Sequence, residues 1–252
     1  MIQVYSLKMN RELSDAERED ALNILTPERK AKALRFRRFK DQNRSIAAGL
    51  LEGYAIRQTI GDSLADYTIE KGPEGKPYLM DYPDVFYNIS HAGDYVVCAI
   101  GNEPVGIDVE QADKYSESVV KRFFQKDEIE DILGNADEAA RKDAFAEYWV
   151  MKESFMKLSG AGFSVPLKSF YSNRRTGVVR LCETVPERWR QELIDMGMTE
   201  LNNPVCQFVP LETGYSCAIC TLGKTCFEHR MIERRDVLDK KGDSKSSHRQ
   251  NG

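Results

Sequence analysis

Residues 105–110 read Val-Gly-Ile-Asp-Val-Glu, apolar and non-apolar by turns, and that alternation predicts a strand with one face in a core. Val105, Ile107 and Val109 take the core face, which leaves Asp108 and Glu110 side by side on the other. Same-face neighbours on a strand lie about 6 to 7 Å apart. Two ionised carboxylates at that spacing repel unless a cation or a basic side chain stands between them. A hard metal ion and a salt bridge are both open as the answer.

The 252-residue chain is long enough for one large domain or two modest ones. Its mean hydropathy is -0.51, and no apolar run approaches the roughly 20 residues a bilayer helix needs. With no signal-peptide pattern, a cytoplasmic protein is expected. The formal net charge of -4 argues against general nucleic-acid binding. Local charge differs: between Arg29 and Arg44 stand Lys30, Lys32, Arg35, Arg37, Arg38 and Lys40, against Asp41 alone. Such a basic island suits a phosphate-rich small molecule.

The six cysteines are expected as reduced thiols. Cys217 and Cys220, with Cys226 and His229, have the C-x-x-C and C-x-x-H spacings of structural zinc. Tyr215 to Leu222 reads instead as a mostly apolar strand, without the tight turn that would converge the two thiolates.

Thr26-Pro27 is an N-cap and first-turn signal, opening a helix through Lys32, Leu34 and Phe36. A second helix is predicted from about Asp41 to Ile60. Gly72 to Pro77 is a turn-rich loop. Strands are predicted at Phe86–Ile89 and Tyr95–Ile100, around Ser90 to Asp94, followed by the carboxylate strand. Helices then cover Ser118–Leu133 and about Ala136 to Leu158, with short strands beyond. Gly93-Asp-Tyr-Val-Val-Cys-Ala-Ile100 returns in shortened form as Gly214-Tyr-Ser-Cys-Ala-Ile219, each after a long helix and a polar loop. The echo suggests two similar α+β halves, 1–104 and 105–222, with a site between them. Residues 223–252 form a C-terminal extension, expected to be disordered from about Asp236.

On the last long helix, Glu153 and Lys157 stand one turn apart beside Phe145, Trp149 and Met156. Alone, they read as a solvated i, i+4 pair worth about 0.2 to 0.5 kcal/mol. Combined with Asp108 and Glu110, Glu153 supplies a third oxygen donor, a set that suits magnesium with substrate phosphates. The basic island, Lys76 and Lys157 would hold the remaining phosphate charge. His91, following Ser90 at a predicted strand end, is placed to donate a hydrogen bond to a phosphate.

Gly106-Ile-Asp-Val-Glu110 and Trp149-Val-Met-Lys-Glu-Ser-Phe-Met-Lys157 resemble the two signature motifs of the 4'-phosphopantetheinyl transferases, in particular the large, Sfp-like class. Ser90-His91, Gly75-Lys-Pro77, Thr26-Pro27-Glu28-Arg29 and Val119-Val-Lys-Arg-Phe-Phe124 fall in the family's order, so the resemblance covers about residues 1–222. It implies a pseudo-twofold α+β monomer whose halves clasp coenzyme A. Asp108, Glu110 and Glu153 match the metal-binding carboxylates. Arg29, Lys32, Arg44, Lys76, Ser90, His91, Asp108 and Lys157 match positions around the coenzyme. Arg29 replaces a lysine found in some relatives, keeping the charge and changing the contact geometry.

The reaction so implied moves the phosphopantetheine arm of coenzyme A to a serine of an acyl or peptidyl carrier protein, with magnesium on the pyrophosphate. Glu153 is the expected general base, Asp108 mainly a metal ligand, and Lys157 and His91 the charge-stabilising groups. The carrier is expected to dock near 160–190, with Phe163, Val165, Leu167 and Arg174 or Arg175 as candidate contacts, the apolar ones reading equally well as second-half core. Two other readings are a non-catalytic carrier or nucleotide binder and a zinc-supported interaction module. Intact Asp108, Glu110, Glu153 and Lys157 argue against the first.

Overall fold

The computed structural model describes residues 1–61, 67–160, 165–183, 185–195, 198–199 and 203–238. Strand β1 (Ile2–Lys8) leads into helices α1 (Asp15–Ile24), α2 (Pro27–Leu34) and α3 (Phe39–Ile60). A short hairpin, β2 (Ile69–Lys71) and β3 (Pro77–Leu79), precedes β4 (Phe86–Ala92) and β5 (Tyr95–Gly101). The second half runs β6 (Val105–Gln111), α4 (Glu117–Phe123), α5 (Lys126–Leu133), α6 (Glu138–Ser159), β7 (Phe170–Ser172), β8 (Val179–Leu181), α7 (Glu187–Asp195), β9 (Pro204–Phe208) and β10 (Tyr215–Leu222). Then come β11 (Phe227–Ile232) and α8 (Arg234–Leu238).

Local chemistry sets the helix ends. Ser14 and Glu17 make a reciprocal capping box on α1. Thr26 accepts from the Arg29 N–H with Pro27 in the first turn of α2. That helix stops at Leu34, so Phe36 lies in the turn before α3 and not on the helix predicted through it. Asp137 caps α6, which ends at Gly160 in the left-handed conformation (φ 69°). The single helix predicted over Ser118–Leu133 is two. The break falls at Phe124 and Gln125, where Gln125 and Glu128 form a second capping box that starts α5.

The fold is mixed α+β, and each half is a sheet with one 22-residue helix laid on it. The first sheet has strand order β11-β1-β5-β4, and the second β6-β10-β9. The two echoing segments are β5 and β10, each an interior strand of its sheet, with α3 packed on β5 and α6 on β6 and β10. Ile2, Val4, Val97 and Ala99 from one sheet meet Val105, Ile107, Val109 and Ile219 from the other in a shared core. Among the described residues, no helix is long and apolar enough to cross a membrane.

The extension after residue 222 is partly built into the first half. Strand β11 pairs in parallel with β1. The segment expected to lose structure from about Asp236 is helical through Leu238, and Val237 is fully buried in the first core. The remainder of that expectation, 239–252, lies outside the described residues.

The cysteine spacing does not translate into a shared site. Cys217 faces the core between the sheets and Cys220 the core beneath α6, as residues three apart on a strand must. Cys226 is exposed, and His229 bonds the Ser6 hydroxyl at 2.8 Å. All six thiols are free.

Candidate active site

Two sheet edges meet at the junction of the halves. Strand β4 ends the first sheet and β6 the second, and side chains rather than a backbone ladder bridge them. The Asn88 side-chain oxygen accepts from the Ile107 N–H at 3.0 Å, and the Ser90 hydroxyl donates to Asp108 Oδ1 at 2.7 Å. Burying unpaired strand edges requires partners for their polar groups, and Asn88 supplies one.

Helix α6 then lies unusually close on β6. A Cβ at Gly106 would stand 2.0 Å from the Ser154 carbonyl oxygen and 2.4 Å from the Leu158 nitrogen. Only glycine allows that approach. It brings Lys157 Nζ to 2.6 Å from Asp108 Oδ1 and 2.8 Å from Ser90 Oγ. Lys157 therefore serves Asp108, and the solvated i, i+4 pair with Glu153 that the helix alone suggested is not what forms.

Asp108, Glu110 and Glu153 face a cavity of about 410 Å³ whose wall also includes Ser90, His91 and Lys157. Arg29 and Lys32 on α2 close it from the first half, and Phe36 and Trp149 add aromatic surface. Burial, reinforced by Asp108 and then Glu110, raises the Glu153 pKa to about 7 despite Lys157. Burial and Asp108 also raise that of Glu110, against the bond it accepts from the Gln111 N–H. The surrounding protein lowers the pKa of His91, with Arg44, Lys157 and Lys32 adding repulsion, which favours a neutral ring.

Three carboxylates on one cavity wall, with Glu110 and Glu153 pushed up by burial and by their neighbours, are the electrostatic complement of a cation. Their oxygen donors fit magnesium, which binds a few carboxylates and completes its shell from water and phosphate. Among the described residues, no three His, Cys, Asp or Glu side chains already form a metal cage. The cation Asp108 holds here is Lys157.

Three expected phosphate contacts have protein partners of their own. Arg29 reaches the cavity, but its guanidinium is held by Glu52, which is 2% exposed, through paired bonds from Nε and Nη2. Arg44 is absent from the wall of this cavity and stands 3.8 Å from Asp41, though its charge is felt at His91. Lys76 lines an adjoining cavity of about 250 Å³ that shares Glu153 and Lys157. Its Nζ donates to the carbonyls of Leu158 at 3.0 Å and Val105 at 3.4 Å, tying the first half to the C-terminus of α6. Burial lowers its pKa to about 8.

The expected carrier contacts need correction as well. Val165 and Leu167 are buried in the second-half core beside Phe155 and Phe170. Arg174 is held by Asp131 and Glu147, whereas Arg175 is exposed. Phe163 lies outside the described residues.

Lys152 was read only as part of a motif, and its role is structural. Its ammonium is fully buried, 3.0 Å from Glu128 Oε2, and donates to the carbonyls of Leu167 and Phe170 at 3.0 and 2.9 Å. It also sits over the Phe170 ring at 4.5 Å. Glu128 in turn accepts from the Ser172 N–H and hydroxyl. A lysine with no exposed face, one residue before Glu153, fixes the helix that carries the site.

Comparison with known proteins identifies the family. Residues 104–220 match the family model described as the 4'-phosphopantetheinyl transferase superfamily, and residues 12–103 that of the 4'-phosphopantetheinyl transferase N-terminal region. The 4'-phosphopantetheinyl transferase Sfp of Bacillus subtilis is 37% identical over 169 residues, 67% of this chain and 75% of that protein. The chain belongs to the 4'-phosphopantetheinyl transferase superfamily. The ffp transferase of Bacillus subtilis is 33% identical over the same shares, and the gsp transferase of Aneurinibacillus migulanus 28% identical over 88% of this chain and 86% of its own. Asp108, Glu110, Glu153 and Lys157 all lie within the matched second-half region.

Proposed function

We propose that this transferase moves the 4'-phosphopantetheine arm of coenzyme A onto a serine of an acyl or peptidyl carrier protein, releasing adenosine 3',5'-bisphosphate. The observation that carries the reading is the cavity between the halves, lined by three carboxylates together with Lys157, His91, Arg29 and Lys32. Carboxylates and basic side chains on one lining suit a pyrophosphate that arrives with a divalent cation.

Asp108, Glu110 and Glu153 would hold magnesium, which when bound neutralises pyrophosphate charge and improves the nucleotide as a leaving group. Lys157 and Ser90 fix the orientation of Asp108. As charge builds on the departing phosphate, Lys157 and a hydrogen bond from His91 offset it. The carrier serine must lose its proton while its oxygen attacks the phosphorus. Glu153, on the same cavity wall as Asp108, is the base, directly or through one water.

The test is incubation with coenzyme A, magnesium and a panel of apo carrier proteins, followed by intact mass measurement. The expected result is a carrier heavier by one phosphopantetheine arm, lost on chelation of the metal. Unmodified carriers across a broad panel, with the protein folded, would contradict the proposal.

A further inference from the structure

Glu52 is a buried carboxylate on α3 with no place on the wall of the main cavity, yet it holds Arg29, which has one. It lines a small cavity behind α2, where Arg29 also appears. Gly49 on α3 makes room for Leu25, just ahead of α2, and lies in contact with the Arg29 stem. A Cβ there would meet Leu25 Cδ2 at 2.6 Å and the Arg29 Cβ and Cδ at 3.6 Å. The arginine stem thus lies close across α3, and Nε and Nη2 both reach the carboxylate.

A guanidinium has five N–H donors in a rigid plane. Glu52 uses one edge of that plane and leaves further donors free. Fixing the edge removes most of the rotamer freedom that binding would otherwise have to remove. The charge pattern has the same sense. Lys32 stands one turn along α2, where burial and then repulsion from Arg29 lower its pKa, and Glu52 counters that repulsion.

We propose that Glu52 is a positioning residue: its two-pronged grip aims Arg29 at a phosphate of coenzyme A in the main cavity. The inference rests on the function proposed above for that cavity. A lysine at position 29 could keep the charge but not the two-pronged geometry, so the arrangement is specific to an arginine–glutamate pair.

The test compares wild type, Glu52→Gln and Arg29→Lys by calorimetric titration with coenzyme A, by steady-state kinetics, and by thermal unfolding of the same samples. Glu52→Gln is expected to weaken coenzyme A binding about tenfold or more, with a matching rise in KM for coenzyme A and no change in KM for the carrier. Arg29→Lys is expected to shift the same constant in the same direction. Unchanged affinity in a folded Glu52→Gln protein overturns the proposal, as does a loss spread equally over both substrates, which would mark a purely structural pair. If Glu52→Gln does not fold, Arg29→Lys decides alone, and wild-type affinity there overturns the proposal. A wild-type chain that does not bind coenzyme A would instead remove the reading of the cavity itself.

Discussion

Lys152 and Lys157 stand five residues apart on α6, each against a carboxylate, and the two environments differ in kind. Lys152 is sealed: both it and Glu128 are inaccessible, and carbonyls and aromatic rings take up the rest of its surface. Lys157 is open: 28% of its side chain is exposed, and its partner Asp108 stands beside carboxylates that lack an equivalent ammonium. Buried charge is tolerated where every donor and acceptor is matched. The sealed pair meets that condition and holds the helix still. The open pair leaves charge unbalanced, and such imbalance is what a charged substrate can use.

Breaking the sealed pair has the largest expected effect on stability. Lys152→Met leaves Glu128 buried without its cation and should cost about 3–5 kcal/mol, measured by denaturant unfolding. A cost below about 1 kcal/mol would show that the pair is not sealed. Gly106→Ala comes next. The added methyl must push α6 off β6, an overpacking expected to cost about 1–3 kcal/mol, and transfer should fall with it because Lys157 moves away from Asp108. Unaltered unfolding and turnover would contradict the close approach seen here.

Lys157→Met leaves the buried Asp108 with its bond from Ser90 and should cost about 1–3 kcal/mol, and added magnesium should recover that loss by taking the place of the ammonium. No such recovery is expected for Lys152→Met, so the paired melting curves sharpen the contrast. Lys76 shows its effect as a pH dependence. Its folded pKa of about 8 lies below its ordinary value, so above pH 8 the unfolded chain binds the additional proton. Stability contributed by this group therefore rises with pH from about 8 to the unfolded pKa of about 10.4. Unfolding of Lys76→Met across this window should lack that rise, and parallel curves would argue against burial of the amine.

Much of this was legible in the sequence. The alternation in Val105 to Glu110 assigned the faces of β6, since a strand permits only two. Thr26, Pro27 and Gly61 marked helix ends through their own chemistry. Gly106 carried a signal that went unread, because glycine inside a strand marks close approach. The Gln125/Glu128 box was equally local and would have divided the helix predicted across it. Other features had no local signal. The partners of Arg29 and Lys76 come from other elements, so the charges looked free in sequence. Val165 and Leu167 read equally as carrier contacts or as core because short apolar stretches do not reveal which side of the chain the core lies on. Strand β11, with Glu228, His229 and Arg230 at its centre, was hidden by its polarity as an edge.

The central claim is that the open cluster around Glu153 performs the transfer. The most direct test is the rate at which Glu153→Gln converts an apo carrier to its phosphopantetheinylated form, with coenzyme A affinity measured on the same protein. Transfer should be nearly abolished while coenzyme A binding largely survives. Near-normal turnover would contradict that claim.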